Sequence, residues 1–372
     1  MSRPTYPEVS RGGSSEGVIV SNRVVVPSVD EVASRIRLDR FTPGALANLP
    51  AKIPIRIPVP IPPRIHPWLF RDIAYFSYAF PGVAGETTSQ EDIFTVGVIG
   101  GSIRRVTDDS ASGVMKSDRD PAWSPSRTSF AIHTATIADP VSRLVIISAA
   151  TGAVMQTLVP GHSPEWLDAS TLLFLDEVDA GTDDVRTDVF CVDIASHAVT
   201  RLTDVGLGAS IGGLSWHPAA GLAMSFAREG ASPQWSIAVI PAAGVGAARS
   251  TGTPVPLSAF TFVTPPTARV AAPAWSPTGD RIALSTWADG SPSRVGFLTV
   301  ATGAITLVPG PDPSEPTLND YGAVFSRDGR TIAFTRGEED EWSEIWLYSV
   351  ASGHSRQLTD EGRTRFKGAL DW

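Results

Sequence analysis

Apolar runs of five to seven residues, rich in Val, Ile, Thr and aromatics and bounded by Gly or Pro, recur along the chain from residue 73 onward. Where polar and apolar positions alternate, as in 188–194 (DVFCVDI), 294–300 (RVGFLTV) and 344–350 (EIWLYSV), the period of two predicts half-buried strands. The runs are too short and too β-branched to favour helices. An all-β fold follows.

The runs are also organised. PAWSPSRTSFAIHT at 121–134 and PAWSPTGDRIALST at 273–286 are two copies of one unit, and weaker copies begin at Pro164, Leu214 and Ala323. Their aromatic anchors Trp123, Trp166, Trp216, Trp275 and Phe325 lie 43, 50, 59 and 50 residues apart, the period of a four-stranded propeller blade. Within each unit the first strand ends at the anchor and a Ser-Pro or Asp-Gly type turn follows. An apolar second strand, an alternating third and a short fourth such as VTRLTD (199–204) or SRQLTD (355–360) complete it. Segments 73–80, 92–101 and 102–109 supply strands two to four of one more blade. GALDW (368–372) supplies a first strand ending at Trp372, with Pro67-Trp68 as the rival donor. The C-terminal strand therefore completes the N-terminal blade, giving six blades and no open edge.

Composition supports this reading. In 372 residues there are 33 Gly and 31 Pro, a density of breakers suited to many short elements and turns. The one cysteine, Cys191, excludes an internal disulfide framework. No run of 18 apolar residues suggests a membrane span. The first 17 residues lack an apolar stretch behind a basic patch, which predicts a cytoplasmic protein, or a periplasmic or secreted one if a signal has been removed.

The pattern P-x-W-S-P-x-G-x-x-I-A followed by an apolar residue, best matched at 273–284 and 323–334, resembles the TolB-type WD40-like (PD40) repeat. Leu202-Thr203 and Leu358-Thr359 close their blades as that repeat expects. The resemblance covers roughly residues 68–372 and implies a propeller with a protein-binding mouth. It carries little chemical information. Propellers of prolyl-oligopeptidase-like enzymes share the repeat, but those enzymes also need an α/β-hydrolase domain for which this chain has no room.

Residues 1–66 read differently. The first 27 are polar and Gly/Ser-rich, 29–40 can form one amphipathic helix, and 53–67 (IPIRIPVPIPPRIHP) alternates apolar residues with proline. Proline lacks a backbone donor and fixes φ, so this strap is expected to be extended. Ile53, Ile55, Ile57, Val59, Ile61 and Ile65 are candidates for tethering it to a partner, to a second copy or to the propeller's own side.

Charge points to the kind of partner. Residues 1–66 are net +4 and residues 67–372 net −13. An acidic body is a poor ligand for nucleic acid and a better one for a protein with a basic surface. Two acidic loops joining second and third strands are candidate docking elements. One carries Glu177, Asp179, Asp183, Asp184 and Asp188, and the other Glu338, Glu339, Asp340, Glu341 and Glu344 with Trp342 as an aromatic anchor. Asp179, Asp183 and Asp184 offer oxygen ligands for a structural calcium ion, but their spacing is not that of an EF-hand. The six histidines occupy different repeat positions, and no metal or catalytic motif is present. Gly13 to Gly17 forms a nominal G-x-S-x-G outside any strand-to-helix turn. No cofactor and no catalytic residue is assigned. The leading expectation is a non-catalytic, protein-binding scaffold. The alternatives are a metal-dependent hydrolase or lyase using channel residues such as Asp120, Glu165, Asp320 or Asp371, and a binder of small molecules or glycans.

Overall fold

The computed structural model describes residues 72–79, 90–99, 101–108, 116–136, 138–180, 185–228, 234–265, 268–338 and 341–372. These form six four-stranded antiparallel sheets, the blades of one propeller. Blade 1 consists of Arg365–Asp371, Ile73–Ala79, Asp92–Val96 and Ile103–Arg105 from the channel outward. Its first strand comes from the C-terminus. Ala74 pairs with Asp371, Tyr78 with Phe366 and Ala79 with Arg365, so the C-terminal strand closes the ring as the sequence suggests. Trp68 and the arm residues Ile53, Ile55, Ile57, Val59, Ile61 and Ile65 lie outside the described residues.

Blades 2 to 6 follow in chain order, with first strands Lys116–Trp123, His162–Asp168, Ala209–His217, Val270–Trp275 and Asn319–Phe325. The unusually long repeat after Trp216 accommodates the helix Ala242–Thr251, inserted before the outermost strand of blade 4, Thr261–Phe262. The helix packs Val245 and Ala248 inward and ends at Gly252 in the left-handed conformation (φ 70°), whose N–H donates to the Ala248 carbonyl.

The core is distributed between blades. Six clusters of buried apolar side chains occupy the six blade–blade junctions, each fed by the alternating inward faces of two neighbouring sheets. The anchors sit in these wedges. Trp166 packs with Ala122 and Leu144 of the preceding blade and donates its indole N–H to the Ala122 carbonyl at 3.0 Å. Trp372 does the same service at the closing junction, against Ala333, Ile345 and Leu347 of blade 6.

The recurrent Leu-Thr ending has a clear cause. In blade 3, Thr203 Oγ1 accepts the Val189 N–H (2.9 Å) and donates to Asp188 Oδ1 (2.7 Å), while Arg201 reaches Asp188 Oδ2 at 2.5 Å. Blade 1 repeats the clamp with Asp92, Thr107 and Arg105, and blade 6 with Glu344 and Thr359. The fourth strand is too short to hold itself by backbone bonds alone, so a buried carboxylate and a hydroxyl fasten it to the third. Thr203→Val keeps the shape but leaves the Val189 N–H without its acceptor and takes one hydrogen bond from Asp188, which keeps Arg201 and the Val205 N–H. It is expected to cost about 1–3 kcal/mol in urea unfolding, and a loss below about 0.5 kcal/mol would show that the clamp is idle.

Candidate functional site

All six first strands carry the same irregularity: their register with the second strand slips just before the anchor. In five of them the residue three before the anchor has positive φ, namely Asp120 (50°), Ser163 (50°), Ala272 (54°), Gly322 (64°) and Ala369 (46°). Four of these are not glycine, so each stores backbone strain of order 1–2 kcal/mol. The bulge bends every inner strand at one level and shapes the wall of the central channel. The resulting cavity is about 400 Å³ and is lined by residues from all six blades.

The chemistry of the lining is one-sided. Among the described residues, its ionisable side chains are Asp120, Glu165 and Asp371, with Ser163 and Ser215 as further polar groups, and no lysine, arginine or histidine lines it. Asp371 and Glu165 each stand one residue before an anchor. Each spends an oxygen across a blade boundary: Asp371 Oδ2 accepts the Trp123 N–H at 2.6 Å and Glu165 Oε1 the Trp216 N–H at 3.0 Å. Ser215 Oγ does the same for the Trp275 N–H at 3.0 Å.

Burial, together with the facing Asp371 carboxylate, pushes Glu165 up to about 8. Burial raises Asp371 too, against the opposing fields of Arg127 and Arg327 and hydrogen bonds from backbone N–H groups. Arg127 and Arg327 belong to the turns after the first strands of blades 2 and 6. Asp120 behaves differently. Burial alone would raise it, but His133, whose Nδ1 lies 3.3 Å from Oδ2, and the Ser163 hydroxyl at 3.0 Å outweigh that and lower it. His162 lies beside this group, its Nδ1 3.2 Å from Ser163 Oγ. Burial and the neighbouring His133 lower its basicity.

Three of the four channel carboxylates expected from the sequence therefore line the cavity. The fourth does not: Asp320 is fully buried in a two-pronged ion pair with Arg336 (2.6 and 2.9 Å), whose guanidinium lies over Trp346. Among the described residues, no group of three or more His, Cys, Asp or Glu side chains converges to hold a metal ion.

The acidic loops divide in the same way. Asp188 and Glu344 are buried (0% and 2% exposed) because they are the carboxylates of the fourth-strand clamps, so they are structural and present nothing to a partner. Trp342 is 9% exposed and lies beneath the Arg363 guanidinium at 4.3 Å, so it is a covered packing residue and not an open anchor. Asp179 pairs with Arg186 at 2.5 Å. Glu177, Glu338 and Glu341 are left at the surface or near it, and Glu338 raises its neighbour Glu341 through a shared hydrogen bond. Asp183, Asp184, Glu339 and Asp340 lie outside the described residues. Sequence reading missed the bulge and the His133–Asp120–Ser163–His162 group. The bulge has no fixed residue type, and the four polar residues come from two blades.

No family model and no curated protein matches the chain. Solved structures do match it. It is similar to TolB from Acinetobacter baumannii (16% identity, TM-score 0.57), covering 80% of this chain and 65% of that one, so the chain spans less than two thirds of that relative. It is also similar to a putative TolB from Agrobacterium tumefaciens (12%, TM-score 0.53, 80% and 98%) and to hydrazine synthase from Kuenenia stuttgartiensis (10%, TM-score 0.59, 81% and 46%). At such identities the likeness establishes the propeller fold. Among the described residues no helix is long and apolar enough to cross a membrane.

Proposed function

We propose that the protein is a non-catalytic binding module that receives a basic segment of a protein partner in the acidic interior of its channel. The observation that carries this reading is the lining: among the described residues, three carboxylates and no cationic side chain in a cavity of about 400 Å³. Keeping Glu165 and Asp371 there is costly, since burial disfavours their charged forms. An incoming Lys or Arg side chain would relieve that cost, a differential interaction available only in the complex. Strain at Asp120, Ser163, Ala272 and Ala369 is of the same kind, stability given up around a site. Surface carboxylates such as Glu177, Glu338 and Glu341 extend the acidic field beyond the channel, and the segment 1–66 serves as a tether to the same assembly. The similarity to TolB propellers adds fold-level support only.

Affinity capture from the native source tests this reading, using full-length protein beside a form lacking residues 1–66. A stoichiometric partner should appear at low salt, weaken as salt rises because the contact is ionic, and be diminished by the truncation. Full-length protein recovered alone at low salt would refute the binding-module reading.

A further inference from the structure

A second cavity, of about 420 Å³, opens between blades 6 and 1 and has no counterpart in the channel's chemistry. Its origin is topological. In neighbouring blades the turns after the first strands pack on one another: His217 lies 3.1 Å from the Pro277 carbonyl, and Gly329 sits against Pro277. In blade 2 the turn also covers its own anchor, with Arg127 over the Trp123 ring at 4.3 Å. Blade 1 takes its first strand from Arg365–Asp371 and its second from Ile73–Ala79, so no short turn joins them. Among the described residues none fills the place where such a turn would pack against the blade 6 turn, and Trp372 lines it.

The walls of this crevice are of two kinds. Val98, Ile99, Leu347 and Trp372 make an apolar side, and Ile99 is left 58% exposed at its rim. Arg356, the cross-strand neighbour of Leu347, stands beside them with Arg327 and His354, and among the described lining residues the one acidic side chain is Asp328, whose Oδ1 is already bonded to the Ser326 hydroxyl and the Arg330 N–H. Arg356 is positioned: it donates to the Val98 carbonyl at 3.1 Å, bridging the two blades across the opening.

We propose that this crevice binds a small amphipathic anion, its ring or hydrocarbon part against Trp372, Leu347 and Ile99 and its carboxylate or sulfonate on Arg356. A mixed pocket with one apolar wall and a few convergent polar groups is the usual form of a small-molecule site, and a guanidinium held by its own backbone contact is suited to a planar anion. The site does not depend on the channel reading.

The test uses full-length protein and two probes, 1-anilinonaphthalene-8-sulfonate and its uncharged relative N-phenyl-1-naphthylamine, followed by fluorescence titration. The sulfonate should bind saturably at one site per chain and more tightly than the neutral probe. Arg356→Gln, at an exposed residue, should weaken the sulfonate roughly tenfold and leave the neutral probe unchanged. Ile99→Ser should weaken both. Unchanged sulfonate affinity in Arg356→Gln, or equal affinity for the two probes, would overturn the assignment. Matching thermal unfolding of variant and wild type separates loss of the site from loss of the fold.

Discussion

Lys367→Ala is expected to destabilise the propeller by about 3–5 kcal/mol, among the largest losses available to a single substitution here. Lys367 lies on the strand that closes the ring and is 0% exposed. Its ammonium meets Glu344 Oε2 at 3.1 Å, Glu361 Oε2 at 3.0 Å and the Ser343 carbonyl at 3.0 Å, all contributed from outside its own strand. Ser343 and Glu344 belong to blade 6, so this cation ties the closing strand to the blade beside it. Removing it leaves the buried Glu344 without its cation and Glu361 with Arg365 alone at 3.9 Å, a greater loss than the pair's net worth. The exposed pair of Arg363 and Glu315 is the control: Arg363→Ala forfeits a screened surface contact, though it also uncovers Trp342, and should cost about 1 kcal/mol or less. Urea unfolding measures both. Similar small losses would mean that closure rests on backbone pairing and apolar packing alone.

Glu165→Gln should act in the opposite direction and stabilise the protein, increasingly so at higher pH. Glu165 is raised from 4.5 to about 8 in the folded state. Below the lower value both states hold the proton, and the substitution should have little effect on stability. Between the two values the folded protein retains a proton that the unfolded chain releases, so stability falls as pH rises and levels off above the folded value. The neutral amide escapes this loss and can still accept the Trp216 N–H. The expected gain is about 2–4 kcal/mol at pH 9, reduced from the full linkage value because the side chain borders an open cavity, and close to zero at pH 4. Chemical unfolding across this pH range is the measurement. A pH-independent difference, or a loss of stability at pH 9, would contradict the account of the channel.

Much of the fold was legible because its determinants are periodic. The anchors Trp123, Trp166, Trp216, Trp275 and Phe325 mark blade boundaries, and GALDW at the end of the chain supplies the missing inner strand of blade 1. The site was harder to read. Asp188 and Glu344 sit among other acidic residues and look like solvent-facing loop charges. A fixed offset, however, distinguishes them: Asp92 and Thr107, Asp188 and Thr203, and Glu344 and Thr359 are each separated by 15 residues. An acid 15 positions before a Leu-Thr or Val-Thr ending marks a clamp and not a docking surface. Asp320 misled for a related reason, since its partner Arg336 lies on the next strand and becomes visible only once the register is known. The bulge had no such signal. Asp120, Ser163, Ala272, Gly322 and Ala369 share a backbone conformation but no side-chain chemistry.

Combining Glu165→Gln with Asp371→Asn decides whether the acidic channel interior is the binding site. Capture of the native partner by this double variant is compared with capture by wild type, at a pH where both proteins are folded. Both amides can keep the cross-blade hydrogen bonds to Trp216 and Trp123, so the ring remains closed while the two carboxylates that a bound cation would hold ionised are removed. The account predicts a protein at least as stable as wild type that retains less than about a tenth of the partner, as loss of buried ion pairing in the complex requires. Undiminished capture by the double variant would contradict it and move the binding surface away from the channel.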